Sequence, residues 1–219
     1  MSTVLITGAN RGIGLELTRQ LQKRGDQVIG VCRQTSSALA ATGARVIEGI
    51  EVGSDDSVRG LSSALGDTRI DVLINNAGIL RREGLDQLDF QSIREQFEIN
   101  SLGPLRVTAA LLAHLKQGSK VIIITSRMGS IADNTSGGYY GYRMSKAAVN
   151  MAGVSLAHDL KGRGISVGIL HPGMVATEMT GKNGIPPEES ARGLIARIDA
   201  LNESRSGHFY HQNGEELPW

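Results

Sequence analysis

Cysteine occurs once, at position 32, so the chain can form no internal disulfide and offers no cysteine cluster for zinc. Charge of one sign is equally scarce. Lys plus Arg exceeds Asp plus Glu by one, and a formal net charge of +1 supplies neither the basic surface that holds a nucleic-acid backbone nor an acidic tail. The longest uninterrupted apolar run is the five residues Ala109 to Ala113, far short of the ~18 that a membrane span requires. Met1-Ser2-Thr3 leads straight into an apolar strand pattern, with no signal-peptide layout, and a soluble cytoplasmic protein is the expectation. Only five prolines are present, and Gly plus Pro together stay below the level of a low-complexity chain.

What the chain does have is apolar material for a core, 40% of 219 residues, in a length that fits one domain spanning 1–219. It also has 28 glycines, about twice the typical share, clustered at particular turns. Such glycines mark places where the backbone turns left-handed or is closely approached.

Short apolar runs alternate with longer stretches of helical period. Strands are expected at Val4–Thr7, Gln27–Cys32, Arg45–Ile50, Ile70–Asn75, Lys120–Ser126, Ile165–His171 and Gly207–Tyr210. Helices are expected near 12–24, 55–65, 89–117, 140–162 and 187–202, with a short one near 35–42. Ile13, Leu17 and Leu21 recur on one helical face, whereas Val121-Ile122-Ile123-Ile124 is apolar on both faces, as a covered central strand should be. This alternation predicts an α/β fold, a doubly wound parallel sheet with helices on both faces. Ligands of such sheets bind at the carboxyl ends of the strands.

After the first strand comes Thr7-Gly8-Ala9-Asn10-Arg11-Gly12-Ile13-Gly14, opening a helix. Glycines at 8, 12 and 14 permit a tight turn and let a pyrophosphate approach the helix N-terminus, where free N–H groups and the helix dipole favour an anion. Closing an ordinary strand–helix corner is the simpler use of such glycines. The second strand ends Gly30-Val31-Cys32-Arg33, without the carboxylate that usually bonds the 2′-hydroxyl of NAD. Arg33 and Arg11 are instead suited to a 2′-phosphate, so NADP(H) is favoured, with NAD(H) the alternative cofactor and two solvated surface arginines the plain one.

Tyr142 and Lys146 stand four residues apart at the start of a helical pattern and share a face. A cation that close favours the phenolate, which makes Tyr142 an acid or base near neutral pH. Ser126 closes the strand that ends Ile124-Thr125, where its hydroxyl can bond a substrate oxygen; Ser130 is the competing serine.

With these residues in view, the chain resembles the classical short-chain dehydrogenases/reductases over nearly its whole length. The motifs, in the family's order, are Thr7–Gly14, Asn75-Asn76-Ala77-Gly78, Asn100, Ser126, Tyr142 with Lys146, and Pro172-Gly173-Met174-Val175-Ala176-Thr177. The resemblance implies a Rossmann-type NAD(P)-binding domain and hydride transfer between nicotinamide and a small carbonyl or alcohol substrate. It further implies that Tyr142 exchanges the proton, Ser126 orients the substrate oxygen, Lys146 lowers the Tyr142 pKa and bonds the nicotinamide ribose, and Asn100 holds a relay water. Gly8, Asn10, Arg11, Gly12, Ile13 and Gly14 would cradle the pyrophosphate, and Arg33 would meet the adenosine ribose. Glu51 and Val52 would lie by the adenine and Asn76, Ala77 and Gly78 along the adenosine side. Pro172, Gly173, Val175 and Thr177 would grip the nicotinamide. Pairing into a homodimer or homotetramer through the helices near 89–117 and 140–162 is likewise implied.

Tyr142-Arg-Met-Ser-Lys-Ala-Ala-Val-Asn150, Ser126-Arg-Met-Gly-Ser-Ile131 and the Gly214-Glu-Glu-Leu-Pro-Trp219 ending are similar to the C-factor-like and sniffer-like carbonyl reductases of that family. The similarity to C-factor-like proteins keeps a second function open, a dinucleotide-binding signalling or sensor protein, against which the intact Ser126, Tyr142 and Lys146 argue. Three departures stand out. Ser126 and Tyr142 are 16 positions apart, wider than the family's usual spacing. Glu51-Val52 replaces the common Asp-Val, and the segment after Thr177 is brief, which implies an open cleft.

Overall fold

The computed structural model describes all 219 residues. Seven strands, β1 (Thr3–Thr7), β2 (Gln27–Val31), β3 (Arg45–Ile47), β4 (Ile70–Asn75), β5 (Leu115–Ile124), β6 (Ser166–His171) and β7 (Phe209–His211), form one parallel sheet. Its order is β3-β2-β1-β4-β5-β6-β7, so the winding reverses between β1 and β4, the place where such sheets open a crevice. The helices are α1 (Gly12–Arg24), α2 (Ser37–Ala40), α3 (Asp55–Leu65), α4 (Phe90–Phe97), α5 (Gly103–Ala110), α6 (Tyr140–Lys161) and α7 (Pro187–Ala200). None is long and apolar enough to cross a membrane.

Strand alternation sorts the core into two layers. Val4, Ile6, Ile122 and Ile124 pack with Leu17 and Leu21 of α1 and Leu194 and Ile198 of α7. Leu5, Leu73, Val121 and Ile123 face the other way, onto Val58 and Leu61 of α3, Val107 of α5 and Val149 of α6. Both faces are therefore covered, as the all-apolar strand 121–124 requires.

Serine and aspartate begin several helices. Ser36, Ser54 and Asp89 each accept a backbone N–H in the first turn of α2, α3 and α4. Helix α1 differs: Arg11 stands at its N-cap without a side-chain cap, and its first turn carries no acid. Its leading N–H groups remain available at the crevice.

The expected helix over 89–117 is corrected. It runs as α4, then a π-helical turn at Glu98–Leu102, then α5, which stops at Ala110. Gly103-Pro104 follows the π turn, and Pro104 has no N–H to continue a regular ladder. Beyond Ala110 the apolar run leaves the helix so that Leu111 and Leu115 can enter the core, and Leu115 pairs with Ile70. Strand β5 thus begins five residues before the expected Lys120 and ends at Ile124, not Ser126. Strand β7 lies at Phe209–His211, shifted from the expected 207–210.

Candidate active site

The crevice at the carboxyl end of the sheet is a cleft of about 1360 Å³, larger than a compact ligand needs. At one end lies the glycine turn. Gly8 and Gly12 adopt left-handed backbone angles (φ 67° and 54°), and Gly8 N–H donates to Val31 O at 2.8 Å. Gly14 is a packing glycine: a Cβ there would stand 2.3 Å from Gly8 O and 2.6 Å from Asn76 Nδ2. The turn is tied to the neighbouring strand end, where Thr7 Oγ1 accepts the N–H groups of Asn76 and Ala77 at 3.1 Å each. Asn76 Nδ2 donates back to Thr7 O and Gly8 O.

Of the predicted residues, the cleft walls include Gly8, Asn10, Arg11, Gly12, Ile13, Arg33, Glu51, Val52, Asn76, Ala77, Gly78, Tyr142, Lys146, Pro172 and Thr177. Gly14, Asn100, Ser126, Gly173 and Val175 do not line it, although the Ser126 hydroxyl neighbours the Tyr142 phenol, which does. Val175 is buried and bridges to Ile185, and a Cβ on Gly173 would come 3.5 Å from His211 Nε2. The walls suit a dinucleotide: uncapped N–H groups at α1, a glycine turn open to close approach, and Arg33 at the tip of β2. Sequence reasoning missed Glu178, which lines the cleft and pairs with Arg11 Nη1 at 2.8 Å.

At the other end α6 delivers Tyr142 and Lys146 on one face. Lys146 Nζ lies 5.8 Å from the Tyr142 ring centroid and donates to Ile124 O at 3.0 Å. Both are buried. Burial raises the Tyr142 pKa, with the neighbouring Ser126 hydroxyl opposing the rise, and burial lowers Lys146 to about 8. Desolvation by burial is the largest influence on each of the two groups.

Ser126 caps a single 3-10 turn, Arg127–Gly129, its Oγ accepting Met128 N–H at 3.1 Å. Ser130 Oγ likewise accepts a backbone N–H, from Asp133, but the hydroxyl beside the phenol is that of Ser126.

Asn100 sits in the π turn, fully buried. Its amide brackets the Ile79 peptide, accepting N–H and donating to C=O at 2.8 Å each, and donates to Ser145 Oγ at 3.0 Å. Ser145 in turn donates to Tyr142 O. Gly78 lies between these groups, since a Cβ there would be 3.2 Å from Asn100 Oδ1 and 3.8 Å from Lys146 Nζ. Ser145 was overlooked although it stands inside the Tyr142–Lys146 spacing. Nearby His171, at the end of β6, is held neutral: burial, His211, Arg127 and Lys146 together push its pKa down to about 3.

Comparison with known proteins agrees with this geometry. The chain is 46% identical to 1-hydroxy-2-glutathionyl-2-methyl-3-butene dehydrogenase of Rhodococcus sp. (strain AD45), with both chains covered in full. It is 49% identical to the C-signal of Myxococcus xanthus over 68% of this chain and 93% of that one. Among solved structures, the carbonyl reductase Sniffer of D. melanogaster superposes with a TM-score of 0.92 at 30% identity, each chain covered in full. A carbonyl reductase from Pseudomonas aeruginosa PAO1 in complex with NADP gives 0.85 at 35%, again over both whole chains. The model of the family described as short chain dehydrogenase matches residues 2–186, and with the sheet order and cleft above it the chain belongs to that family.

Proposed function

We propose that this short-chain oxidoreductase uses NADP(H) and moves hydride between nicotinamide and the carbon of a small carbonyl or alcohol, with Tyr142 as the acid/base. The observation that carries the reading is the convergence of Tyr142, Ser126 and Lys146 at one end of the cleft whose other end is the glycine turn. When bound along that cleft, NADP(H) would supply hydride chemistry; the uncapped amides of α1 would hold its pyrophosphate, and Arg33, with Arg11, its 2′-phosphate.

The chain's own residues do the proton chemistry. A phenol raised by burial is protonated at pH 7 and gives its proton to the carbonyl oxygen during reduction, while Ser126 hydrogen-bonds that oxygen. Lys146 matters once the phenolate develops: an ammonium 5.8 Å from the ring then stabilises the new negative charge inside a dry site. Asn100 fixes the Ile79 backbone and packs with Gly78 beside Lys146.

The test is a carbonyl and alcohol panel with NADPH and NADH, including a glutathione-conjugated alcohol because the Rhodococcus relative is named for one. Tyr142→Phe should lower kcat by at least ~10³-fold and change NADPH affinity by less than about twofold. Parental turnover in the Phe variant removes Tyr142 from the mechanism. The C-signal relative supports a second reading, a dinucleotide-binding signalling protein. Tight NADPH binding with no turnover across the panel selects it.

A further inference from the structure

Residues 214–219 take no part in the cleft, yet they reach the turn that carries Ser126. That turn is held from two sides. On one side it lies against α6 without an intervening side chain: a Cβ on Gly129 would stand 2.7 Å from the Lys146 carbonyl carbon and 2.9 Å from its Cβ. On the other side Arg127 Nη2 donates to Glu215 Oε2 at 3.0 Å, and Ala132 N–H, just past the turn, donates to Trp219 O at 2.9 Å. Arg127 Nε also faces Asp133 at 3.4 Å, which closes the loop after the turn onto the same guanidinium.

The segment that does the holding is itself fixed. Leu217 is buried against Ile169 and Phe209, and its N–H donates to Phe209 O at 2.8 Å. His211 N–H donates to Glu215 O at 2.8 Å, and the Trp219 ring stacks on Phe209 with centroids 5.4 Å apart. The Ser126 turn is therefore clamped between the helix that bears Tyr142 and Lys146 and a segment anchored to the outer strand of the sheet.

We propose that Glu215 and Trp219 are positioning residues for the reaction, acting through Arg127 and Ala132 to keep the Ser126 hydroxyl beside the Tyr142 phenol. The inference rests on the oxidoreductase reading above. Magnitudes decide how it must be tested. The Arg127–Glu215 pair is about half exposed on both sides, and such pairs add little to stability. A catalytic group displaced by ~1 Å, by contrast, can cost ~10²-fold in rate. Loss of the clamp should therefore be visible in turnover before it is visible in unfolding.

The experiment uses the full chain with NADPH and the best carbonyl substrate of the panel. Glu215→Gln and Trp219→Ala should each lower kcat by about threefold to tenfold, with NADPH affinity and melting temperature nearly unchanged, and Trp219→Phe should restore the rate. Because the effect passes through Ser126, Glu215→Gln added to Ser126→Ala should cost nothing further. Unchanged kcat in both single variants overturns the proposal, as does a loss that multiplies in full with Ser126→Ala or one that weakens NADPH binding equally. Should the parent chain reduce no carbonyl compound, the enzymatic reading fails on its own. The clamp is then judged by hydrogen exchange at the Met128 and Gly129 amides: faster exchange in Glu215→Gln supports it, and parental protection overturns it.

Discussion

Arg33 and Arg11 enter the cleft on unequal terms. Arg11 is engaged with Glu178, whereas Arg33 lines the same cleft with no carboxylate within ion-pair distance. Arg33 is thus the cation already free to meet a 2′-phosphate, and Arg11 must first leave Glu178. A charge-assisted hydrogen bond of this kind contributes about 1.5–3 kcal/mol, roughly tenfold to a hundredfold in affinity. Arg33→Ala should therefore weaken NADPH binding by about that factor and leave NADH binding within about twofold, read by nicotinamide fluorescence titration at fixed salt. Equal NADPH and NADH affinities in the parent chain would remove the argument. At this scale the site was largely legible, because glycines, Asn76, Tyr142, Lys146 and Arg33 stand at fixed places after strands whose pattern is strong. Two things were not. Ser126 and Ser130 both follow β5 and each accepts a backbone N–H; only the nearness of the Ser126 hydroxyl to the Tyr142 phenol separates them. The direction of the Tyr142 shift depends on burial, which the four-residue spacing to Lys146 does not contain.

Among the elements, the segment 89–117 shows where periodicity fails. Its apolar spacing suits a helix throughout, but a π turn at Glu98–Leu102 interrupts it and the end is diverted into the sheet by Leu111 and Leu115. The interruption is what turns Asn100 inward onto the Ile79 peptide; π turns of this kind are frequent at functional sites. The faces that α4, α5 and α6 leave outside are apolar at several points. Phe90 is 63% exposed, Met144 50% and Met151 69%, with Leu102 and Leu105 also open. Contiguous exposed apolar patches are common marks of association surfaces, and we propose that these helices supply one. We expect the chain to travel as a dimer or tetramer, measured by light scattering on a sizing column. Met151→Asp should raise the dissociation constant at least about tenfold without changing the fold, and a parent chain that runs as a single copy at tens of micromolar would sink the expectation.

For the molecule as a whole, the buried basic groups make stability depend on pH in a defined sense. His171 has a folded pKa of about 3 against an ordinary 6.5, chiefly because burial disfavours its charged form, and its Nδ1 is buried without a partner. Between those values the unfolded chain binds a proton that the folded chain refuses. Stability from this group is therefore complete above pH 6.5 and is lost as pH falls towards 3. Lys146, lowered by burial to about 8 from 10.5, acts in the same sense in a higher window: stability rises as pH climbs from 8 to 10.5. The Lys146 charge also pushes His171 down, so the desolvation that lowers each of the two groups acts in one region of the fold. His171→Gln separates this effect from the titration of carboxylates, since glutamine keeps a polar side chain of similar reach but cannot take up the proton. In urea unfolding between pH 6.5 and 4 the variant should lose stability less steeply than the parent, by up to about 1.4 kcal/mol per pH unit. If the two slopes coincide, His171 is protonated within the fold, and the desolvated picture of this region is wrong for the imidazole and, by the same physics, for Lys146.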